Sequence, residues 1–143
     1  MSRVDSAVVN RYGRTMNARR WINTGFGLSR VAFGLVAGSS PERIGRTWIG
    51  DLAGEEPAKV ILRALGARDV ALGAGTAEAA LRDRAGTWLA MTVLADLGDV
   101  VATVAARDRL PRSGVITTSA LAGSAALAGL ALLALDSFPV EAQ

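Results

Sequence analysis

The chain has 143 residues, half of them hydrophobic, and a formal net charge of +3. Because it contains no histidine and no cysteine, His-ligated zinc, Ser-His-Asp catalysis, thiolate metal sites and disulfides are excluded. The high apolar and glycine content favours a membrane protein of one domain over a water-soluble one. The basic residues are nearly all arginine and are accompanied by few aromatic residues, so we expect no nucleic-acid partner.

The chain begins with a polar, basic segment, residues 1–20, and continues with an apolar stretch, residues 21–40, whose single charge is Arg30. A membrane-spanning helix needs roughly 20 residues, so the apolar stretch is long enough to be a first span. A cleavable signal peptide is the alternative interpretation of residues 1–40. The charge in the middle of the apolar stretch and the long leader argue against it.

A short connection follows the first span. Ser39 and Glu42 have the spacing of a capping box, and Pro41 suits the first turn of a helix. These residues predict a short interfacial helix that ends near Trp48, with the indole at the level of the lipid headgroups. Residues 50–57 are expected to form a turn.

The second apolar segment, residues 58–81, is the least certain span because it carries several charges, among them Arg63, Arg68 and Asp69. An interfacial helix is the alternative, but such a helix would place its charges on one face, and these charges point in different directions. We therefore interpret the segment as a span whose charges meet other helices. Residues 85–106 and the uncharged residues 113–135 are the third and fourth spans, and residues 136–143 form a short acidic tail.

The expected fold is all-α, a transmembrane four-helix bundle with short loops in the plasma membrane. With the N-terminus inside, seven basic residues flank the spans on the cytoplasmic side and six on the outer side. The positive-inside rule therefore gives a small preference for cytoplasmic N- and C-termini.

Five charged residues on three of these spans are expected at one depth, ~14–20 Å from the inner ends of their helices at 1.5 Å per residue. They form a predicted intramembrane polar cluster of Arg30, Arg68, Asp69, Asp96 and Asp99. Two interpretations stay open: the arginines neutralise the aspartates so that the helices can pack, or the carboxylates hold a proton or an ion. Small residues on the first, second and fourth spans are expected to pack helices closely, namely Gly34, Gly38, Gly66, Gly73 and Gly123.

Part of this pattern resembles a group of small actinobacterial membrane proteins. The similar features are the first span with Pro41 and Trp48–Gly50, the run Arg63-x-x-Gly66-x-Arg68-Asp69-x-x-Leu72-Gly73, and Trp88 followed by Asp96-x-x-Asp99. The resemblance covers residues 22–135. Those proteins have four helices and no known function, so the resemblance implies a four-span fold and an actinobacterial source, and it supplies no activity, ligand or catalytic residue.

Small size and short loops favour a non-enzymatic accessory or assembly subunit of a larger envelope membrane complex. Its partners would be the lipid bilayer and either other membrane-protein subunits or further copies of the chain. We expect no cofactor, no metal and no catalytic residue. The alternative is a small proton- or solute-translocating carrier that uses the polar cluster. A membrane-embedded enzyme is a third possibility, but the sequence offers no evident pairing of nucleophile and base.

Overall fold

A computed structural model describes residues 3–137 of the chain, with side chains described between residues 17 and 136. Within this range the protein is all-α and contains no strand, as predicted. It contains α1 (Arg3–Ser39), α2 (Pro41–Ile49), α3 (Glu56–Leu81), α4 (Gly86–Ala105) and α5 (Arg112–Ser137). Short 3-10 turns, Gly50–Gly54 and Arg107–Arg109, lie in the α2–α3 and α4–α5 connections. Residues 138–143 of the expected acidic tail lie outside the described range, as do the side chains of residues 1–16.

The structure has no break in the first helix at the boundary expected between the basic segment and the first span. α1 runs through both as one helix from Arg3 to Ser39. The segment before residue 21 contains no proline, so its change in polarity does not interrupt the backbone hydrogen bonds. The helix ends just before Pro41, because a residue that precedes proline is driven out of the helical conformation. Ser40 accordingly adopts φ −131°.

The predicted short helix is present as α2, with Pro41 in its first turn, but the predicted capping box is wrong. Ser40, not Ser39, is the residue that precedes the helix, and its side chain makes no capping hydrogen bond. Ser39 instead donates to the carbonyl of Val36 at 3.3 Å. With the cap moved by one residue, Glu42 no longer stands at the third helical position, and its carboxylate accepts a hydrogen bond from Arg46 at 3.0 Å.

α1 and α3 pack closely because glycines let their backbones touch. A Cβ at Gly27 would lie 2.6 Å from the carbonyl oxygen of Gly73, and one at Gly34 would lie 2.5 Å from that of Gly66. Real Cβ atoms do not approach this closely, so no larger residue fits without a shift of the helices. Gly34, Gly66 and Gly73, which are among the five glycines expected to pack helices, therefore lie at this contact.

Of the other two expected glycines, Gly38 lies at the same contact through its backbone, whereas Gly123 does not. A Cβ at Gly38 would meet no atom within 4 Å, although the Gly38 backbone nitrogen lies 2.7 Å from the position of a Cβ on Gly66. The lack of a side chain at Gly38 thus allows the close approach of Gly66. A Cβ at Gly123 would also meet nothing within 4 Å, so tight packing is not found there within the single chain.

α4 and α5 form a second antiparallel pair, and polar contacts join this pair to α1 at one end and to α2 at the other. At one end Arg19 of α1 lies 3.5 Å from Asp136 of α5. At the other end the Trp48 indole of α2 donates to Thr103 of α4 at 3.1 Å. The headgroup position of this indole stays a prediction, and its hydrogen bond links α2 to α4.

Two of the described helices are long and apolar enough to cross a membrane, by length and composition: Gly86–Ala105 and Arg112–Asp136. Only 28% and 17% of their most apolar 18-residue windows are buried in the protein, whereas the core helix of a soluble protein would be mostly buried. α1 and α3 do not meet the same criterion within the described residues. The expected four spans therefore reduce, on this criterion, to two candidate spans.

Candidate functional site

The candidate site is a network of charged side chains between α1, α3 and α4, which we call the charged cluster. It consists of the same five residues that the sequence places at one depth: Arg30, Arg68, Asp69, Asp96 and Asp99. The structure brings all five together in one continuous set of ion pairs. This agreement follows from helix geometry, because equal residue counts from a common end give equal depths.

Arg30 connects three helices. Its Nη1 donates to Asp96 Oδ2 at 2.8 Å and its Nη2 donates to Asp96 Oδ1 at 2.7 Å. Nη2 also donates to Asp69 Oδ1 at 3.1 Å. A two-bond contact of this kind is the strongest arrangement of arginine and carboxylate, and here it joins α1 to α4.

Arg68 forms the second half of the charged cluster. It donates to the two carboxylate oxygens of Asp99 at 2.9 and 2.8 Å, which joins α3 to α4. Its Nε and Nη2 also donate to Asp69 Oδ1 at 3.2 and 3.1 Å. Asp69 Oδ1 therefore accepts hydrogen bonds from both arginines, and Asp69 links the two arginine–aspartate pairs into one network.

The two halves of the cluster differ in exposure. The side chains of Arg30, Asp69 and Asp96 are 9%, 8% and 5% exposed, so this half is buried. The side chains of Arg68 and Asp99 are 30% and 24% exposed. Because burying a charge without a partner is costly, the buried half depends on every one of its hydrogen bonds.

Neighbouring polar groups on α3 and α4 share the faces that carry the aspartates. The hydroxyl of Thr76 donates to the carbonyl of Leu72 at 2.8 Å, and that of Thr92 donates to the carbonyl of Trp88 at 2.7 Å. Both threonines are fully buried. Their hydroxyls are satisfied within their own helices, so they fill the interface without competing for the charged cluster.

A cavity of about 330 Å³ adjoins the cluster and is lined by residues of all five helices. Its walls are mostly apolar, with Phe26 and Phe33 from α1, Trp48 from α2 and Leu121 from α5. Sequence reasoning did not predict this cavity. The sequence signal for the cavity lies in α2, whose apolar residues share one face, because a helix with one apolar face packs that face on a neighbour.

Arg30 combines its two ion pairs with one unmet hydrogen-bonding group. Its Nε is buried and has no hydrogen-bond partner, although Nη1 and Nη2 are both engaged. Buried donors without a partner are rare, and each one calls for an explanation. Arg30 lines the cavity through other parts of its side chain, whereas Nε itself is enclosed by protein atoms.

Among the described residues, no group of three or more His, Cys, Asp or Glu is arranged to hold a metal ion. The three aspartates of the cluster have arginine partners instead. Two guanidinium groups face three carboxylates, so the cluster carries one formal negative charge in excess. This arrangement can stabilise helix packing, and its excess negative charge disfavours the binding of an anion.

Comparisons of the chain with protein-family models, with curated proteins and with solved structures gave no match. The resemblance to small actinobacterial membrane proteins therefore stays an expectation.

Proposed function

We propose that the protein is a four-span integral protein of the plasma membrane, with cytoplasmic termini, that acts as a non-catalytic subunit of a larger envelope membrane assembly. The observation that carries the proposal is the inverted distribution of charge and hydrophobicity. Asp69 and Asp96 are 6% and 4% exposed, whereas Leu94, Val101 and Leu127 are 67–69% exposed. In water the opposite arrangement is favoured, so the exposed surface suits lipid or partner helices.

Helix length and the positions of the charges support four spans over two. Arg30 lies ten residues after Arg20, and Asp96 lies ten residues after Gly86, the first residue of α4, and ten residues correspond to ~15 Å. That distance is half of a hydrocarbon core of about 30 Å. The single charge in the apolar part of α1, Arg30, and two of the six charges of α3, Arg68 and Asp69, meet in the charged cluster. A span whose charges are paired against other helices fails a hydropathy criterion without being unsuited to the membrane.

A packing role fits the cluster better than a transport role, because each of its carboxylates is held by a guanidinium. The pairs Arg30–Asp96 and Arg68–Asp99 each use both carboxylate oxygens. Protonating Asp96 or Asp99 would require one of these two-bond contacts to break. Such pairs make the packing of α1, α3 and α4 specific, and they leave the apolar outer faces of α4 and α5 available for partners.

The number of spans can be tested with single cysteines, since the chain has none of its own. Asp51→Cys, Arg84→Cys and Asp108→Cys are suitable because these three side chains are mostly exposed and lie between helices. With four spans and cytoplasmic termini, a membrane-impermeant maleimide labels Asp51→Cys and Asp108→Cys in intact cells, and labels Arg84→Cys only after permeabilisation. Labelling of Asp108→Cys without Asp51→Cys would leave two spans and contradict the proposal.

The assembly role is tested by purifying a tagged chain from its native membranes in mild detergent and measuring the native mass of the complex. A stoichiometric larger membrane partner, lost when an exposed residue such as Leu127 is replaced by tryptophan, would support the subunit. A homogeneous homo-oligomer without another partner would contradict it.

A second candidate function is a small proton or solute carrier, and it is favoured by the excess carboxylate next to the cavity. Its test is proton flux into liposomes that contain the purified protein. A carrier would show flux that Asp69→Asn abolishes while the folded protein persists. A packing subunit would show no flux above that of protein-free liposomes.

A further inference from the structure

We propose that a pocket at the end of α1 and the start of α3 binds the phosphate of an anionic phospholipid, whose acyl chains lie along the groove between these two helices. The lining residues of this pocket differ from those of the cavity beside the charged cluster. The inference rests on the membrane location in the proposed function. It goes beyond that proposal by assigning a ligand class and a site for it.

The pocket, which we call the basic pocket, opens on the surface where α1 ends and α2 and α3 begin. Its volume is about 510 Å³, within the range of small-molecule sites. It is lined by Ser39, Ser40, Pro41 and five charged residues, namely Glu42, Arg43, Arg46, Lys59 and Arg63. Four positive charges face one negative charge, so the lining favours a negatively charged ligand.

Two of the basic residues already have acidic partners. Glu42 Oε1 accepts a hydrogen bond from Arg46 at 3.0 Å, and Glu42 Oε2 lies 3.6 Å from Lys59 Nζ. Asp51 also lies 3.5 Å from Arg46, and Glu56 lies 2.9 Å from Lys59. Arg46 and Lys59 therefore link α2 to α3 through Glu42, and their charges are largely neutralised.

The other two basic residues, Arg43 and Arg63, supply the charge for a ligand. Both are exposed, and neither has an ion-pair partner within the described part of the chain. Arginine binds phosphate through paired, charge-assisted hydrogen bonds. α2 also begins in this pocket without a side-chain cap, and the free N–H groups of a helix start attract an anion.

Apolar surface continues from the basic pocket along α1 and α3, and it favours a lipid over a free phosphate. Three apolar residues recur at helical spacing on each helix: Leu28, Val31 and Leu35 on α1, and Ala67, Val70 and Ala74 on α3. Leu28 and Leu35 are 55% and 58% exposed, and both alanines are exposed. Ala67 follows Arg63 by one turn, so this surface begins directly beside the pocket, and an acyl chain gains contacts along it.

These residues line one groove between the two helices. A Cβ at Gly34 would lie 3.0 Å from Val70, and one at Gly73 would lie 3.0 Å from Val31, so both valines lie at the helix contact. At about 100° per residue, Val70 and Asp69 lie on opposite sides of the line of glycines on α3. The groove therefore faces away from the charged cluster, where a lipid can reach it.

In the proposed topology the basic pocket lies at the outer ends of the first two spans, near the lipid headgroups. Arg63 lies seven residues after Glu56, the first residue of α3, which corresponds to ~10 Å along the helix. A long arginine side chain can keep its stem among acyl chains and extend its guanidinium group to the headgroups. A phospholipid therefore matches both the pocket and the groove, whereas inorganic phosphate matches only the pocket.

The excess positive charge selects a headgroup with a net negative charge. In phosphatidylglycerol the phosphate is the only charged group. In phosphatidylcholine a quaternary ammonium group neutralises the phosphate, and it would meet the like charges of Arg43 and Arg63.

Binding can be measured by native mass spectrometry of the delipidated protein in a nonionic detergent, which counts the lipids bound to each chain. The probes are phosphatidylglycerol and phosphatidylcholine with the same acyl chains, and inorganic phosphate serves as a competitor. The test variant is Arg43→Gln/Arg63→Gln. Its matched control is Arg107→Gln/Arg109→Gln, which removes the same charge from exposed residues between α4 and α5, on the same side of the membrane in the proposed topology.

We expect one phosphatidylglycerol to bind each chain saturably, with an affinity about tenfold or more above that of phosphatidylcholine. Arg43→Gln/Arg63→Gln should weaken this binding about tenfold or more, and the control variant should leave it unchanged. Millimolar inorganic phosphate should not displace the lipid, because it lacks the acyl contacts. Equal melting temperatures of the lipid-free protein and the test variant should show that the fold persists.

Equal affinity for the two lipids, or no saturable binding of phosphatidylglycerol, would overturn the lipid site. Equal weakening in the two arginine variants would overturn its location in the basic pocket. Displacement by inorganic phosphate would identify a free phosphate as the ligand and overturn the lipid. The labelling pattern of the single-cysteine variants reports the number of spans whichever lipid binds, so a failure of the topology is distinguishable from a failure of the lipid site.

Discussion

Arg30 and Asp96 are 66 residues apart in sequence, yet two hydrogen bonds of 2.8 and 2.7 Å join them between α1 and α4. This contact connects the glycine-packed pair α1–α3 with the pair α4–α5. Because both side chains are buried, neither can be removed without leaving the other charge in a poorly solvating environment.

The first prediction concerns that contact. Arg30→Gln should lower the free energy of unfolding by about 3–5 kcal/mol, because it leaves the carboxylate of Asp96 buried without its main partner. The double variant Arg30→Gln/Asp96→Asn should recover part of the loss. Unfolding in mixed detergent micelles measures both, and Arg63→Gln, at an exposed position on α3, is the control expected to change stability by less than about 0.5 kcal/mol. Equal effects of Arg30→Gln and Arg63→Gln would contradict the role assigned to the ion pair.

The second prediction concerns the backbone contact between α1 and α3. Gly34→Ala or Gly66→Ala should destabilise the protein by about 1–3 kcal/mol, because each adds a methyl group where backbone atoms already touch. Gly25→Ala is the matched control on α1, since a Cβ at Gly25 would meet nothing within 4 Å. Alanine also favours helix over glycine, so the control should be neutral or slightly stabilising. Thermal unfolding of the three variants in detergent checks the ranking.

The third prediction concerns the hydrogen bond that fixes α2. Thr103→Val removes the acceptor of the Trp48 indole and should cost about 1–3 kcal/mol, because the valine leaves the partly buried N–H without a partner. The fluorescence emission of Trp48, measured in a chain where it is the single tryptophan, should also change on Thr103→Val. Thr87→Val, at an exposed position on the same helix, is the comparison. A loss of stability in both variants alike would show that the hydroxyl bond does not matter.

The fourth prediction is a pH dependence at the end of the bundle. A hydrogen bond from Arg20 lowers the pKa of Asp83 below its usual 3.8. The carboxylate therefore ionises more easily in the folded protein, and its contribution to stability is complete above that value and lost as the pH falls through the lowered pKa. As the pH is lowered below about 4, the melting temperature of the protein should decrease, and it should decrease less steeply in Asp83→Asn. Asparagine suits the comparison because Asp83 has φ +55°, a conformation that asparagine tolerates.

The effect of Asp83→Asn should be small because the Arg20–Asp83 pair is partly exposed, with side-chain exposures of 36% and 28%. High salt should reduce the difference between the two proteins further. Identical pH profiles at low salt would contradict the contribution assigned to the pair.

Much of the charged cluster could be predicted from the sequence, because depth in an up-and-down bundle depends only on residue counts. The rise per residue places Arg30, Asp69 and Asp96 in one layer. The choice of partners could not be predicted in the same way. It depends on how α1, α3 and α4 are rotated against one another. The contacts of Gly27 and Gly34 orient α1 on α3, whereas the contact of Gly75 with the Trp88 ring orients α3 on α4.

Other features depend on backbone effects that side-chain patterns do not contain, or on tertiary contacts. The polarity change near residue 21 predicts a boundary, yet α1 continues through it because hydrogen bonding along a helix does not require apolar side chains. Ser39 and Glu42 match a capping box, but Pro41 moves the start of α2 by one residue. The cavity requires α2 and α5 to close against the cluster, so it becomes visible only when the helices are assembled.

The long sequence separation within the charged cluster also determines the order in which its charges meet during synthesis. Arg30 emerges first, Asp69 follows 39 residues later and Asp96 follows 66 residues later. At a synthesis rate of about 5–20 residues per second, roughly 3–13 s pass between the synthesis of Arg30 and that of Asp96, its principal partner. In the proposed four-span topology the first helix cannot settle as an independent unit during that interval. Its stable insertion depends on the arrival of the third span, so truncation before Asp96 should leave a chain that the cell degrades.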